Sequence, residues 1–338
     1  MKESSQAAAR PWPASGWSFQ PYRLFQKDAA RHSVARMGFQ IRSGQAQRRA
    51  DSVIGAFFHG YNSALADASP PALKRVCEGQ VPFLRPFSYE GAALGCFVRS
   101  FMRPGPSRYP EMIDSLCRIH PDYLYLYYMG LGFGCGILLR WWPRKAQRIM
   151  DSLSPLHRHL GYDGFGFQSG LFHFMGNPSA VRRFHRFQDP FAVHCCYQGL
   201  GRSLRFLYYD SPRRVQQVVS GLQRRYHSDC YMGLGLAFAF THIDSLGTAL
   251  EYCRHLEQAG HRMDFLTGIA LALWARRLNH AGYFEEQVTS LPRVPRSRIE
   301  RLIGYCDECN ELVDETAPDS YRQWRSCVRA RLKPEEWS

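Results

Sequence analysis

Polar residues that could take part in chemistry are concentrated in two aromatic-rich stretches, FFHGYN (57–62) and GYDGFGFQSGLFH (161–173). Hydrogen-bonding groups among aromatic walls are the usual composition of a small-molecule site. We therefore predict a pocket that draws its polar groups from six residues: His59, Tyr61, Asn62, Asp163, Gln168 and His173. The alternative, in which each is a buried polar residue with an internal hydrogen-bond partner, is at least as strong for any single one.

Two carboxylates, Glu90 in YEGAALG and Asp163 in YDGFG, begin segments that are otherwise apolar. An unpaired buried charge is costly, and burial raises the pKa of a carboxylic acid, which suits it to act as a general acid. We therefore predict Glu90, Asp163 and His173 as the catalytic candidates. The alternative is that each carboxylate caps the N-terminus of its own helix, where it is favourable by roughly 0.3–1 kcal/mol.

Arg202 in QGLGRSL is a charge inserted early into a glycine-rich segment. We predict that it pairs with Asp163 or Glu90, or that it holds an anionic ligand. Gln198 stands just before the first glycine of its segment, the position that Glu90 and Asp163 occupy in theirs. The predicted ligand-binding residues are His59, Tyr61, Asn62, Gln168, Gln198 and Arg202.

The remaining motifs name no reaction, and the sequence identifies no cofactor. A single Cys-x-x-Cys, formed by Cys306 and Cys309, has no second pair at the spacing of a zinc site, so we predict no metal and interpret the motif as incidental. Gly-x-Ser-x-Gly and the lysine of a phosphate-binding loop are both absent from the sequence. Whether the chain is an enzyme is left open by these patterns.

The elements that must position these residues repeat along the chain. Gly132, Gly166, Gly201 and Gly235 are separated by 34, 35 and 34 residues. A proline recurs with nearly the same period, at 110, 143, 178 and 212. Each glycine segment is apolar on all sides, which is typical of a buried helix, and each proline opens an Arg-rich segment with an apolar stripe at helical spacing.

This pattern predicts an all-α fold of tandem helix hairpins, either an open solenoid or a closed toroid. The glycines are then explained, because a missing side chain lets two helix backbones approach closely. A dinucleotide-binding loop is the weaker interpretation, since no strand precedes the glycines. We predict a single domain with three parts: an irregular N-terminal arm over 1–43, a helical-repeat region over 44–281 and a helical C-terminal cap over 282–338.

Composition limits the functional classes further. The formal net charge is +14, and only five of the 43 basic residues are lysines. The charge is spread along the chain, which favours solvated helix faces over nucleic-acid binding. The first twenty residues contain no apolar core of a secretory signal, so we predict a cytoplasmic protein. The longest uncharged run, 123–139, barely reaches the length of a membrane span, so we predict no span; association with a membrane surface stays open.

The succession HSVARMGFQIR, GAFFHGYNSAL, YEGAALG, YMGLGFG, YDGFGFQSGLFH, YQGLGRSLRF and MGLGLAFA resembles the bacterial DUF1702 family from about residue 33 to residue 331. Members of this family occur in gene clusters for enediyne polyketides, where they are grouped as accessory biosynthesis proteins. The motifs that carry the resemblance contain these candidate residues and glycines: Gly60, Tyr61, Asn62, Glu90, Asp163, Gly164, Gly166, His173, Gly199, Gly201 and Arg202.

The resemblance implies an accessory protein that acts on or binds a hydrophobic, polyene-type, polyketide-derived intermediate in specialised metabolism. If the chain is an enzyme, we expect a cyclase or an isomerase. The alternative function is a helical-repeat scaffold for partner biosynthetic enzymes, because such arrays commonly present a concave surface to other proteins.

Overall fold

Helices account for all regular secondary structure in the described part of the computed structural model, which comprises residue 22 and residues 25–333 without positions 42, 104, 106, 107, 209, 210, 257, 315 and 316. The predicted all-α class is confirmed. Residues 1–21 of the predicted N-terminal arm lie outside the described residues. The α-helices are α1 (Val34–Met37), α2 (Gly44–Ala66), α3 (Pro70–Glu78), α4 (Arg85–Phe101), α5 (Arg108–Ile119), α6 (Leu124–Leu138), α7 (Pro143–Asp151), α8 (Arg158–Ser169), α9 (Pro190–Leu207), α10 (Pro212–Ser220), α11 (His227–Thr241), α12 (Leu246–Arg254), α13 (Ala259–Asn279), α14 (Ala281–Thr289), α15 (Arg293–Leu312) and α16 (Ser320–Arg331).

The core is carried by α2, α4, α6, α8, α9, α11 and α13, and each of these helices packs against the next one in chain order. Helix α11 illustrates how fully these helices are enclosed, since every residue from Asp229 to Thr241 is buried. A helix that is apolar on all sides is stable only when protein surrounds it. These seven helices therefore form the central row of the described fold.

A shorter helical segment follows each core helix and packs on the outside of the row. Helices α3, α7 and α10 begin with proline, whose fixed backbone angle and missing N–H suit the first helical position. The segment after Pro178 differs from the expected α-helix, since Pro178–Arg186 is a 3-10 helix. Because a 3-10 helix rises about 2.0 Å per residue, against 1.5 Å in an α-helix, its nine residues reach farther along the surface.

Pairs of glycines join four of the core helices, α6, α8, α9 and α11, to both of their neighbours. In α11, a Cβ added to Gly233 would lie 1.8 Å from the carbonyl oxygen of Gln198 in α9, the preceding core helix. A Cβ on Gly235 would lie 2.0 Å from the carbonyl oxygen of Phe265 in α13, the following core helix. Such distances leave no room for any side chain.

The same two-sided arrangement holds for α8, which lies between α6 and α9. The first glycine of α8, Gly164, faces the carbonyl oxygen of Met129 at 2.1 Å, and the second, Gly166, faces that of Cys196 at 2.0 Å, both measured from an added Cβ. The Gly-x-Gly motif is therefore a packing device with one glycine for each neighbour, as the sequence predicted.

Contacts between the two ends of the row hold early and late helices together. Arg49 of α2 forms a bidentate ion pair with Asp244, with nitrogen–oxygen distances of 2.6 and 2.8 Å. The buried guanidinium of Arg276, near the end of α13, donates to the carbonyl oxygen of Phe83 just before α4 at 3.0 Å. The rings of Phe87 in α4 and Phe240 in α11 meet edge to face at 5.5 Å.

The region of the predicted C-terminal cap holds α14, α15 and α16. Helix α16 is attached through charged groups, since Arg325 pairs with the buried Asp229 at 2.6 Å and Arg329 pairs with the buried Asp264. Cys306 and Cys309 lie on α15 and are buried, as expected for a Cys-x-x-Cys within a helix. Among the described residues, no helix is both long enough and apolar enough to cross a membrane.

The glycine contacts predict a large difference between two Gly→Ala variants. Gly233→Ala should lower the free energy of unfolding by about 2–3 kcal/mol, because its methyl group would overlap the backbone of α9. Gly55→Ala is the matched control, since no atom lies within 4 Å of its added Cβ and alanine favours a helix by about 1 kcal/mol. Urea unfolding curves measure both; equal midpoints would contradict this role of the Gly-x-Gly motif.

Candidate functional site

The candidate site is built from one repeated position, the residue before the first glycine of a core helix. Glu90, Asp163 and Gln198 hold this position in α4, α8 and α9. Their backbone carbonyls are the groups on which the next core helix packs: an added Cβ would lie 2.3 Å from the Glu90 oxygen at Gly130 and 1.9 Å from the Asp163 oxygen at Gly199. The glycine contacts therefore fix where these three polar side chains begin.

Arg202 joins the two carboxylates. It lies one turn after Gln198 on α9, and its Nη1 donates a short hydrogen bond to Oδ1 of Asp163. Its Nη2 lies 3.6 Å from Oε1 of Glu90. The predicted pairing of Arg202 is thus present with both acids. Exposure is 0% for Asp163 and Gln198, 3% for Glu90 and 6% for Arg202, so this cluster is closed to solvent.

Tyr321 of α16 completes the cluster. Gln198 Nε2 donates to Oδ2 of Asp163 at 2.7 Å and to the hydroxyl oxygen of Tyr321 at 2.9 Å. The Tyr321 hydroxyl lies 3.2 Å from Oε1 of Gln198, to which it can donate. Burial raises the pKa of Tyr321, so its phenol keeps the proton. No spacing in the sequence connected Tyr321 to this site, because α16 lies outside the repeat.

The balance of charge distinguishes the two carboxylates. One guanidinium faces two acids, and Asp163 receives the short hydrogen bond from it and a second one from Gln198. Glu90 has the longer contact, and its Oε1 has no hydrogen-bond partner among the residues that the structure describes. Burial raises the pKa of Glu90, an effect that the charge of Arg202 partly offsets. We infer that Asp163 and Arg202 form the ion pair and that Glu90 is the neutral acid.

The alternative that these acids cap their own helices is wrong. Helix α4 begins at Arg85 and helix α8 at Arg158, and neither has an acidic residue in its first turn. Glu90 and Asp163 are therefore more than one turn inside their helices, beyond the free N–H groups that a cap would satisfy. Their partners are side chains of other helices.

An apolar cavity of about 80 Å³ lies beside Glu90 and Arg202. Glu90, Arg202 and Thr241 contribute polar groups to its wall, and the guanidinium of Arg202 stacks over the ring of Phe167 at 4.5 Å. Met37 and Phe39, from α1 and the residues after it, also line the cavity. Aromatic rings from six core helices make up much of the remaining wall: Phe57, Phe87, Phe133, Phe167, Phe206 and Phe240.

Three predicted residues of the FFHGYN stretch do not line this cavity. His59 is exposed. The Tyr61 hydroxyl donates to the carbonyl oxygen of Phe25 at 2.9 Å, and Asn62 makes two hydrogen bonds to the backbone of Lys27 at 2.7 and 2.9 Å. These contacts attach the N-terminal segment to α2, whereas the neighbouring Phe57 and Phe58 do reach the cavity.

Gln168 and His173 also lie apart from the cluster of Glu90, Asp163, Gln198, Arg202 and Tyr321. Gln168 is buried against Gly136, where an added Cβ would lie 2.7 Å from its Oε1, and that oxygen has no hydrogen-bond partner. His173 lies in the π-helical turn Gly170–Phe174, with its Nε2 3.0 Å from Nη1 of Arg140. Burial and the nearby positive charges of Arg140 and Arg183 lower the pKa of His173. The roles assigned to these residues stay predictions.

Among the described residues, the thiols and the possible metal ligands form no second polar cluster. No group of three or more His, Cys, Asp or Glu side chains that could hold a metal ion occurs among the described residues. Cys195 and Cys196 are buried beside the cluster on α9, and burial raises the pKa of both thiols, which keeps them protonated.

Comparison with known families decides what the chain is related to. The family described as "Protein of unknown function (DUF1702)" matches residues 19–332. The chain belongs to the DUF1702 family. The match covers every core helix and α16, and therefore the whole cluster of Glu90, Asp163, Gln198, Arg202 and Tyr321. No match was found among curated proteins or among solved structures.

The charge assignment predicts that the two acids of this DUF1702 protein differ in how much their amide variants destabilise the fold. Asp163→Asn should lower the free energy of unfolding by about 3–5 kcal/mol, since it leaves the buried Arg202 without its counter-ion. At about pH 4, where the unfolded chain also keeps much of the Glu90 proton, the matched control Glu90→Gln should change it by less than about 1 kcal/mol, because Gln resembles the neutral acid in shape and charge. Equal destabilisation by both variants in urea unfolding would contradict the assignment.

The same assignment predicts a pH dependence. The pKa of Glu90 is higher in the folded protein than in the unfolded chain, so the unfolded chain loses this proton first as pH rises. The contribution of Glu90 to stability is complete below its unfolded pKa of about 4.3 and is lost as pH rises through the folded pKa. Glu90→Gln should therefore gain stability relative to the wild type as pH rises above about 4, measured by urea unfolding; a constant difference would show that Glu90 ionises normally.

Proposed function

We propose that this DUF1702 protein binds an elongated, apolar, polyene-type molecule in the aromatic cavity and serves as an accessory protein in the biosynthesis of a specialised metabolite. The observation that carries this proposal is the placement of Glu90, a buried carboxyl group whose pKa is raised by burial, in a wall made largely of aromatic rings. Aromatic walls with few polar groups favour an apolar ligand, and the acid supplies one directed proton.

The ligand needs more space than the closed cavity provides. Ligand sites commonly enclose about 300–1,000 Å³, whereas this cavity has about 80 Å³. The cover formed by Met37 and Phe39 is the part that can give way, because α1 has only four residues. Its flanks are attached by hydrogen bonds from the backbone N–H of Val34 to Asp51 and of Gln40 to the carbonyl oxygen of Leu207. We propose that ligand entry displaces this segment.

An isomerase or cyclase reaction suits these groups. The neutral carboxyl of Glu90 would donate its proton to one carbon of an alkene, and the adjacent carbon would become a carbocation. The faces of Phe167 and neighbouring rings would stabilise that cation. Loss of a different proton from the ligand to the Glu90 carboxylate would form the product and restore the acid. Asp163 would act by pairing with Arg202. Because its charge is then compensated, this guanidinium would not stabilise the carboxylate form of Glu90 before the ligand binds.

Binding is tested with a fluorescent polyene alcohol, retinol, titrated into the full chain. Ile54→Trp should weaken binding by at least about tenfold, because Ile54 lines the cavity and a larger side chain would fill it. Val218→Trp is the matched control, since Val218 is also a half-buried aliphatic residue but lies on the outer helix α10. An unchanged affinity in Ile54→Trp would place the ligand elsewhere and overturn the proposed site.

Proton transfer is tested with the polyene ligand that native mass spectrometry finds bound to the purified protein, incubated with the protein in D₂O. The wild type should introduce deuterium into the recovered ligand or its isomer. Glu90→Gln should bind the same ligand and reduce the rate of deuterium incorporation by at least about a hundredfold, since general acids commonly contribute factors of 10²–10⁴. Incorporation at the wild-type rate in Glu90→Gln would remove Glu90 as the acid while leaving binding intact.

A further inference from the structure

Large apolar side chains are exposed together on one surface near the end of α6. Trp141 and Trp142 are 55% and 62% exposed, far above the core aromatics. Ile137, Phe172 and Met175 are 46%, 41% and 40% exposed. Isolated exposed apolar residues are normal on a protein surface, but a contiguous group marks a site of interaction.

We name these five residues the tryptophan patch. Ile137 lies four residues before Trp141, which follows the end of α6, and the guanidinium of Arg183 lies over the Trp141 ring at 4.2 Å. Arg140 lies over the same ring at 4.8 Å and also contacts His173, the neighbour of Phe172 in the π-helical turn. Arg140 therefore links the residues after α6 to the turn after α8.

Basic residues surround the tryptophan patch. On α7 they are Arg144, Lys145 and Arg148, and on the adjacent 3-10 helix they are Arg182, Arg183 and Arg186. The acid of these two segments, Asp151, lies 3.7 Å from Arg158 and so is already compensated. The surface therefore combines exposed indole rings with a net positive charge.

We propose that the tryptophan patch binds the surface of a membrane rich in anionic lipids. Indole rings favour the boundary between water and the acyl chains, and clustered arginine and lysine side chains are attracted to anionic headgroups. A surface that is acidic throughout would satisfy the cations, but it would offer no apolar layer to the two adjacent indoles. The lipid surface satisfies both parts of the patch at once.

The position of Phe172 relates this contact to the aromatic cavity. Its ring is part of the patch, lines the cavity and lies 6.0 Å from the ring of Phe133. A molecule dissolved in the lipid would therefore meet the cavity wall at Phe172, which gives the cavity a second entrance besides the one covered by Met37 and Phe39. This route rests on the proposed function, whereas the membrane contact depends only on the patch.

The membrane contact is tested by flotation of the purified full chain, without added ligand, with two kinds of vesicle. One contains phosphatidylcholine alone and the other contains phosphatidylcholine with phosphatidylglycerol. The wild type should bind the second kind more tightly. The double variant Trp141→Ser/Trp142→Ser should lower the partition coefficient by at least about tenfold, because it removes the two largest apolar groups of the patch.

The matched control is Val294→Ser/Leu312→Ser, which changes two apolar residues on α15 that are 64% and 68% exposed and lie outside the patch. It should bind vesicles within about twofold of the wild type. The charge-removing variant Arg144→Gln/Lys145→Gln should weaken binding only to vesicles with phosphatidylglycerol, by about tenfold or more at low ionic strength.

Two results would overturn the membrane proposal. The first is wild-type binding that is absent, or that the tryptophan substitutions do not reduce. The second is a dimer in sedimentation experiments that Trp141→Ser/Trp142→Ser dissociates, which would make the patch an interface between two copies of the chain. Vesicle binding together with a failed retinol titration would uphold the membrane contact and reject the proposed cavity function, so the two proposals fail separately.

Discussion

The contact between a glycine and a neighbouring carbonyl oxygen is the constraint on which this structure depends. A core helix such as α11 touches the helix before it through Gly233 and the helix after it through Gly235, at distances where a methyl group would overlap backbone. Glycine within a helix is intrinsically unfavourable by about 1 kcal/mol. Close packing on two sides offsets this cost, and the repetition of the motif sets the order and spacing of the core helices.

The same contact determines where the polar side chains of the cluster begin. The carbonyl against which the first glycine of a motif packs belongs to the residue before the first glycine of the preceding core helix, and in three helices that residue is Glu90, Asp163 or Gln198. The backbone of this residue thus belongs to the architecture, while its side chain is free to vary from Met to Thr, Gln or an acid. One position in the repeat therefore serves packing through the main chain and function through the side chain.

Periodicity explains how much the sequence could predict. The glycine and proline spacings predicted the helical class and the order of buried and outer helices. They also indicated Asp163 or Glu90 as partners of Arg202, because repeated positions lie beside one another, but not that Arg202 contacts both acids. The hydrogen bond from Gln198 to Tyr321 could not be predicted, since it joins residues 123 positions apart and one lies outside the repeat. His59 and Asn62 could not be separated from Phe57 either, because adjacent residues of a helix point in different directions.

The hydrogen bond between Gln198 and Tyr321 also bears on the order in which the chain folds during synthesis. During synthesis, the row of core helices can pack progressively, since each one contacts mainly its predecessor in the chain. The amide of Gln198, which bonds to Asp163, would lack its Tyr321 partner during this time. It would gain that partner only after residue 321 leaves the ribosome and α16 docks through Arg325 and Arg329. A nascent chain would thus possess its scaffold well before its polar centre is sealed from water.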